Sequence, residues 1–223
     1  MIGTIIGIIL LVLLILYIYW RFFFFFRDPN RRIPKGKCVV SPADGTIVYV
    51  KKVHRSKIPI CNKKGRKISL KEDIHHTDKG DKLFVGIFMT PFNVHVQRCP
   101  VDGKVEYVKH YKHKDLPMTL MWLKVILGLR PFYKGSMHMW ENERNVVRIK
   151  GKINAYVVQI ADIAVNRVVC SLKKEQKVSK GQRLGLIKFG SQVDLVLPYN
   201  KVVAHVKEGD KVKAGSSIIA TIK

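Results

Sequence analysis

The distribution of apolar and polar positions divides the chain into two unlike parts. From Met1 to Trp20 there is no charged residue, and Ile and Leu fill most positions. At 1.5 Å rise per residue, about 20 helical residues cross the hydrocarbon core of a bilayer. Tyr17, Tyr19 and Trp20 close the run where an interfacial aromatic belt is expected. Phe22 to Phe26, flanked by Arg21 and Arg27, extend the apolar surface at interfacial level, so residues 1–26 read as a membrane anchor and interfacial segment. A cleaved secretory signal is the competing reading. It would require a basic start and a small-residue cleavage site, and the run has neither.

The pattern changes after residue 26. Residues 27–37, with Asp28-Pro29-Asn30 and Ile33-Pro34-Lys35-Gly36, are breaker-rich and read as a linker. Short β-branched runs separated by turn residues then occupy 38–223: 39–40, 46–50, 83–89, 94–96, 105–108, 146–149, 153–160, 167–172, 184–189, 193–197, 202–206 and 218–222. Residues 51–82 are polar and basic and predict a loop or hairpin excursion. The stretch 116–133 has a helical pattern broken by Gly128 and Pro131, suited to covering a site or dipping into a bilayer surface. Val178-Ser179-Lys180-Gly181 and Val212-Lys213-Ala214-Gly215 each open a V-x-x-G-x-x-[LI] pattern. That is either a recurrent hairpin turn or the two quasi-equivalent halves of a barrel-sandwich hybrid. The predicted fold is mainly β, barrel-sandwich-hybrid-like, with an N-terminal transmembrane helix.

Charge sharpens this reading. The 223 residues carry 41 Lys and Arg against 16 Asp and Glu, a net +25. Such a surface attracts anionic lipid or nucleic acid. No helix-turn-helix, zinc-finger or RNA-binding aromatic motif accompanies it, so nucleic acid is not an expected partner. Arg21, Arg27, Arg31, Arg32, Lys35 and Lys37 follow the apolar run and place the body on the cytoplasmic side of the cell membrane. The four cysteines are scattered without a C-x-x-C pair, which predicts neither a disulfide scaffold nor a zinc site; no metal is expected. A biotin or lipoyl carrier would present its Lys in a Met-Lys-Met-like turn, and none is present.

Six short motifs follow in order: Phe25-Phe26-Arg27-Asp28-Pro29, Ser41-Pro42-Ala43-Asp44-Gly45, Pro91-Phe92-Asn93-Val94-His95, Glu141-Asn142-Glu143-Arg144, Gln159-Ile160-Ala161 and Phe189-Gly190-Ser191. Each alone is unremarkable, and Gly135-Ser136 and Gly215-Ser216 repeat the last dipeptide. Together they resemble the phosphatidylserine decarboxylase family, in its short form, which includes archaetidylserine decarboxylases. Two departures stand out: Asp162 where a small residue would be expected, and an unusually basic segment 59–81.

The resemblance implies a proenzyme that breaks its own chain between Gly190 and Ser191. The products are a β chain of 1–190 and an α chain of 191–223, which stay associated. Ser191 becomes a pyruvoyl cofactor, which condenses with the amine of a serine phospholipid and acts as the electron sink for decarboxylation. Gly190, lacking a Cβ, leaves its carbonyl open to attack. By the same resemblance, His95 is the candidate base and proton donor, with Asp44 its orienting partner in an Asp–His–Ser arrangement. From the residues alone, His95 is equally a satisfied strand histidine and Asp44 a turn-former. His75, His76, His110 and His113 read as loop histidines. Asn142, Glu143 and Arg144 either shape the site or form an exposed turn.

Overall fold

A computed structural model describes residues 2–54, 80–111, 116–134, 142–162, 168–188 and 191–223. Gly190, Phe189, Glu141, His75, His76, His113 and nearly all of the basic segment 59–81 lie outside the described residues.

The strands in chain order are β1 (Cys38–Val40), β2 (Gly45–Val53), β3 (Lys82–Met89), β4 (Val96–Arg98), β5 (Gly103–Tyr111), β6 (Arg144–Lys150), β7 (Asn154–Ala161), β8 (Val168–Cys170), β9 (Lys177–Val178), β10 (Arg183–Ile187), β11 (Ser191–Pro198), β12 (Val202–Ala204), β13 (Lys211–Val212) and β14 (Ile218–Ile222). Eight form one curled antiparallel sheet in the order β13-β2-β3-β11-β7-β6-β5-β9. Two three-stranded sheets, β1-β14-β12 and β4-β10-β8, complete the fold. The mainly β architecture with an apolar N-terminal helix is thus the one the sequence predicts.

Period-two alternation explains how the large sheet is buried on both faces. Along β3, Leu83, Val85, Ile87 and Met89 join Val193, Leu195 and Leu197 of β11 in the inner core. Phe84 and Phe88 point outward with Val158, Ile160 and Val196. The outer face is covered by helix α2 (Thr119–Leu127), through Met121, with Met118 and Phe132 at its flanks. Truncating any of these fully buried side chains to Ala removes about 2–5 kcal/mol.

The V-x-x-G pattern is one trace of a pseudo-twofold duplication. Pro42-Ala43-Asp44-Gly45 opens β2, and Pro100-Val101-Asp102-Gly103, 58 positions later, opens β5. The two halves exchange equivalent bonds: the Val40 amide donates to the Pro100 carbonyl (3.0 Å) and the Arg98 amide to the Pro42 carbonyl (2.8 Å). Gly215 donates to Ser41 and Gly181 to Cys99, each at 2.8 Å. Both glycines have positive φ, 74° and 81°. A side chain at either would run into Ile33, which lies between the two turns.

At the N-terminus, α1 (Ile2–Tyr19) continues into a π-helical turn (Trp20–Phe24). The 23-residue helix Ile2–Phe24 is long and apolar enough to cross a membrane, and none of it is buried in the protein. Burial begins abruptly at Phe25, which is 1% exposed. Residues 27–37 have no regular structure yet are fixed to the body. Asp28 pairs with Arg98 (2.5 Å) and Arg183, and Arg31 with Asp44 (2.8 Å).

Candidate active site

Ser191 is the first residue of β11, held between Met89 of β3 and Ala161 of β7. The pleat turns it to the inner face, as for Val193 and Leu195, and it is fully buried. Its Oγ has no hydrogen-bond partner among the described residues. Leaving a buried hydroxyl unpaired costs about 1–3 kcal/mol, so the position calls for a chemical reason.

His95 lies at the same end of the sheet. Met89, opposite Ser191, leads into a turn in which the Thr90 amide and Oγ1 both donate to Asn93 Oδ1 (2.8 Å each). The Asn93 carbonyl then takes the Nδ1 proton of His95 (2.9 Å). This fixes the tautomer: Nδ1 carries the proton and Nε2 presents a lone pair. Nε2 is buried and has no partner among the described residues. Burial pulls the imidazole pKa down to about 4, and the Arg27 charge adds to the effect, so His95 is neutral near pH 7. One face of its ring stacks on Phe25, with centroids 4.2 Å apart. On the other side of the turn the Ile187 amide donates to the His95 carbonyl (3.4 Å).

Asp44 does not orient His95 by direct contact. Both carboxylate oxygens accept from Arg31 Nη2 (3.0 and 2.8 Å), and Oδ1 also accepts the Ala214 amide (2.7 Å). The duplication shows which part of this is architectural. Asp102, its counterpart, accepts the Lys180 amide (2.8 Å), so capping the V-x-x-G turn is common to both halves. Among the described residues, the ion pair from Arg31 to Asp44 has no counterpart at Asp102. The link from this turn to His95 runs through the backbone, since Pro42 accepts the amide of Arg98 at the end of the strand that His95 leads into.

Two buried polar groupings are not legible as such in the sequence, although Gln159 of the first belongs to one of the six motifs. The first is a run of side-chain amides behind His95: Gln97 donates to the His95 carbonyl (2.7 Å), Gln159 to Gln97 (2.9 Å), and Asn145 to Gln159 (2.8 Å). The second lies on the outer face of β11. Gln192 Nε2 donates to Asp194 Oδ1 (2.7 Å) and to the Tyr49 hydroxyl (3.1 Å), and Tyr49 also bonds Asp194. Gly86, opposite Asp194, leaves the space that the Tyr49 ring fills. Burial raises the Asp194 carboxyl to about 6, offset in part by the bonds from Tyr49 and Gln192 and the Arg144 charge.

Asn142 and Asp162 connect β7 to the approach to α2. Asn142 donates to the carbonyls of Leu116 (2.7 Å) and Ala161 (2.8 Å) and accepts the Leu116 amide (2.8 Å). Glu143 is buried beside His110 Nε2 (3.3 Å). Asp162, the unexpected residue, accepts the Met118 amide (2.9 Å) and so anchors the approach to α2. Among the described residues no cluster of three or more His, Cys, Asp or Glu is placed to hold a metal ion.

Comparison with known proteins converges on the same region of sequence space. The family model described as phosphatidylserine decarboxylase matches residues 18–220. A Methanocaldococcus jannaschii protein, provisionally named an archaetidylserine decarboxylase proenzyme, is 37% identical over 199 residues, covering 88% of this chain and 87% of the relative. Phosphatidylserine decarboxylase proenzymes of Carboxydothermus hydrogenoformans and Chlorobaculum tepidum are 35% and 36% identical over 202 and 200 residues. These matches cover 90% and 88% of this chain, and 79% and 75% of the relatives. The chain belongs to the phosphatidylserine decarboxylase family of carboxy-lyases.

Proposed function

We propose that this chain is a proenzyme that cleaves itself between Gly190 and Ser191 and then decarboxylates a serine phospholipid, phosphatidylserine or archaetidylserine, to the ethanolamine phospholipid. The observation that carries the reading is the fully buried hydroxyl of Ser191, without a partner among the described residues, in a chain of this family, at the sheet end where Nε2 of a neutral imidazole also has none among them.

In the cleavage step, Ser191 Oγ adds to the Gly190 carbonyl while His95 Nε2 accepts its proton. His95 suits this role because its Nδ1 proton is committed to Asn93 and its pKa of about 4 keeps Nε2 unprotonated at neutral pH. Asp44 supports His95 at one remove, by holding the turn whose Pro42 carbonyl fixes Arg98. The Gly190 C–N bond then breaks, leaving 1–190 as an ester on Ser191 Oγ. Loss of the Ser191 α-proton with β-elimination releases 1–190 as a carboxylate and leaves a dehydroalanine at the start of 191–223. Its tautomerisation and hydrolysis by water release ammonia and leave residue 191 as a pyruvoyl group. The ladder from Ser191 to Pro198 along β3 keeps the new N-terminus in place. When formed, that group supplies the electron sink that loss of carbon dioxide from an α-amino acid requires. The position fits it: residue 191 is enclosed by apolar neighbours, which exclude water from the reacting carbon. His95 Nε2 then returns a proton to the carbon that loses carbon dioxide.

Residues 1–26 hold the protein in the cell membrane, 27–37 strap the anchor to the body, and 38–223 form the catalytic domain on the cytoplasmic side. The basic surface draws that domain onto anionic lipid. Carboxyl-labelled phosphatidylserine and archaetidylserine in vesicles test the reading. The full chain is expected to release labelled carbon dioxide from at least one, and Ser191→Ala from neither. A parent protein inactive on both sinks the proposal.

A further inference from the structure

Helix α2 is apolar on both its faces. Met121 is fully buried, and Trp122 and Val125 pack against the outer core. The opposite arc consists of Leu120, Leu123, Ile126 and Leu127, which remain 47–58% exposed. Leu129, just past the helix, is 54% exposed. A helix on a water-facing surface carries polar residues on its outer side; here Lys124 is the one charge within the helix. A contiguous apolar arc of this kind marks a contact surface.

The surroundings of the arc indicate what it contacts. Lys124 reaches the Lys134 carbonyl, Arg130 lies over Phe132 (5.7 Å), and Lys51 over Tyr133 (3.5 Å). Apolar residues bordered by cations and by Trp122 and Tyr133 match the chemistry of an anionic membrane interface. The same cations would oppose each other if two copies of the chain met through this face.

The placement of α2 relative to the site is equally specific. The approach to the helix is tied to the end of β7 by Asn142, which bridges Leu116 and Ala161, and by Asp162, which holds Met118. Ala161 is the residue opposite Ser191. The other lipid-facing element, the end of the α1 helix, reaches the same end of the sheet through Phe25 on His95.

We propose that α2 is a second membrane contact, in which Leu120, Leu123, Ile126 and Leu127 insert among the acyl chains of an anionic bilayer and seat Ser191 at headgroup level. The insertion stands on the surface itself, whereas the seating rests on the decarboxylase reading. The full chain is reconstituted into phosphatidylcholine–phosphatidylglycerol vesicles with an environment-sensitive fluorescent amino acid at position 127, or, as a control, at position 152 on the exposed β6–β7 turn. Position 127 is expected to show blue-shifted emission quenched by acyl-chain doxyl lipids, less so without phosphatidylglycerol, while position 152 stays unquenched. Emission at 127 matching that at 152 overturns the insertion. So does a blue shift that rises with protein density and resists the quencher, the signature of a second copy on this face.

A Leu123→Glu/Leu127→Glu protein tests the seating. Turnover of serine phospholipid in vesicles should fall at least tenfold, mainly in KM, while self-cleavage and turnover of a short-chain soluble serine phospholipid are retained. Equal loss on both substrates overturns the seating. A parent inactive on both substrates defeats the decarboxylase reading instead, and the quenching result is independent of it.

Discussion

The rings of Phe25 and His95 stack at 4.2 Å with 26° between their planes, so the first buried residue after the apolar helix lies against the candidate base. Trp20 and Phe26 pack edge-on against Phe25 at 5.9 and 5.3 Å. This aromatic group seals His95 from water at the point where the apolar helix ends, and it contributes to the burial that lowers the histidine pKa. In Phe25→Ala, water reaches the imidazole and its pKa should climb from about 4 toward the ordinary value of 6.5. The pH profile of self-cleavage reads this directly. Its acid limb is expected near the folded-state value in the parent and at least one pH unit higher in the variant; an unchanged limb would show that Phe25 does not shield the base.

Replacing His95 by Gln retains a side chain of similar size and removes the titratable nitrogen. Self-cleavage should slow by about 10²-fold or more, with the fold intact by circular dichroism. Because its pKa is depressed in the folded state, His95 contributes stability that is complete above pH 6.5 and lost as pH falls toward 4. That contribution is about 3 kcal/mol. His95→Gln should therefore be less sensitive to acid than the parent across that window, as thermal unfolding at stepped pH would show.

Asp194 titrates in the opposite sense. Its folded-state pKa is raised to about 6, so its contribution is present below pH 4 and lost as pH rises through 6. Asp194→Asn keeps one acceptor oxygen for Gln192 and Tyr49 while removing the ionisation. Stability of the variant should then fall more steeply on acidification from pH 6 to 4 than that of the parent, because the opposing slope is gone. Parallel stability profiles would contradict the buried, protonatable assignment.

Asp44 and Asp102 form a natural comparison. Asp102→Ala forfeits one bond from the Lys180 amide, worth about 1 kcal/mol. Asp44→Ala forfeits the Ala214 amide and the Arg31 ion pair and leaves that guanidinium short of a partner, costing about 2–3 kcal/mol. Asp44 is joined to the His95 strand only through the turn whose Pro42 carbonyl holds Arg98, so on the proposed mechanism Asp44→Asn should slow cleavage by no more than about tenfold. A loss as deep as that of His95→Gln would place Asp44 within the proton-transfer machinery itself.

Much of this molecule is legible in its sequence because its strands are short, β-branched and punctuated by Gly and Pro. The helix around residue 120 also shows through its apolar spacing. What stays hidden is hidden for physical reasons. Gln192 and Asp194 alternate with Val193 and Leu195, a pattern that ordinarily marks one solvent-facing side of a strand. Here β11 sits between β3 and β7 with α2 over its outer face, so the polar side is buried as well. The group that orients His95 is a backbone carbonyl, that of Asn93, and no residue type announces a carbonyl. The duplication around Pro42 and Pro100 retains only a few identical residues, because its equivalence lies in exchanged backbone bonds.

The proposed function requires Ser191 to be the precursor of a carbonyl group rather than a resident hydroxyl. Intact-mass measurement of the purified full chain beside Ser191→Ala tests it most directly. The parent is expected to give two fragments, 1–190 and 191–223, the smaller blocked at its N-terminus and reactive toward carbonyl reagents, and Ser191→Ala a single uncut chain. A parent that stays whole under conditions where it decarboxylates its lipid, or a Ser191→Ala chain that still breaks at the same bond, would contradict it.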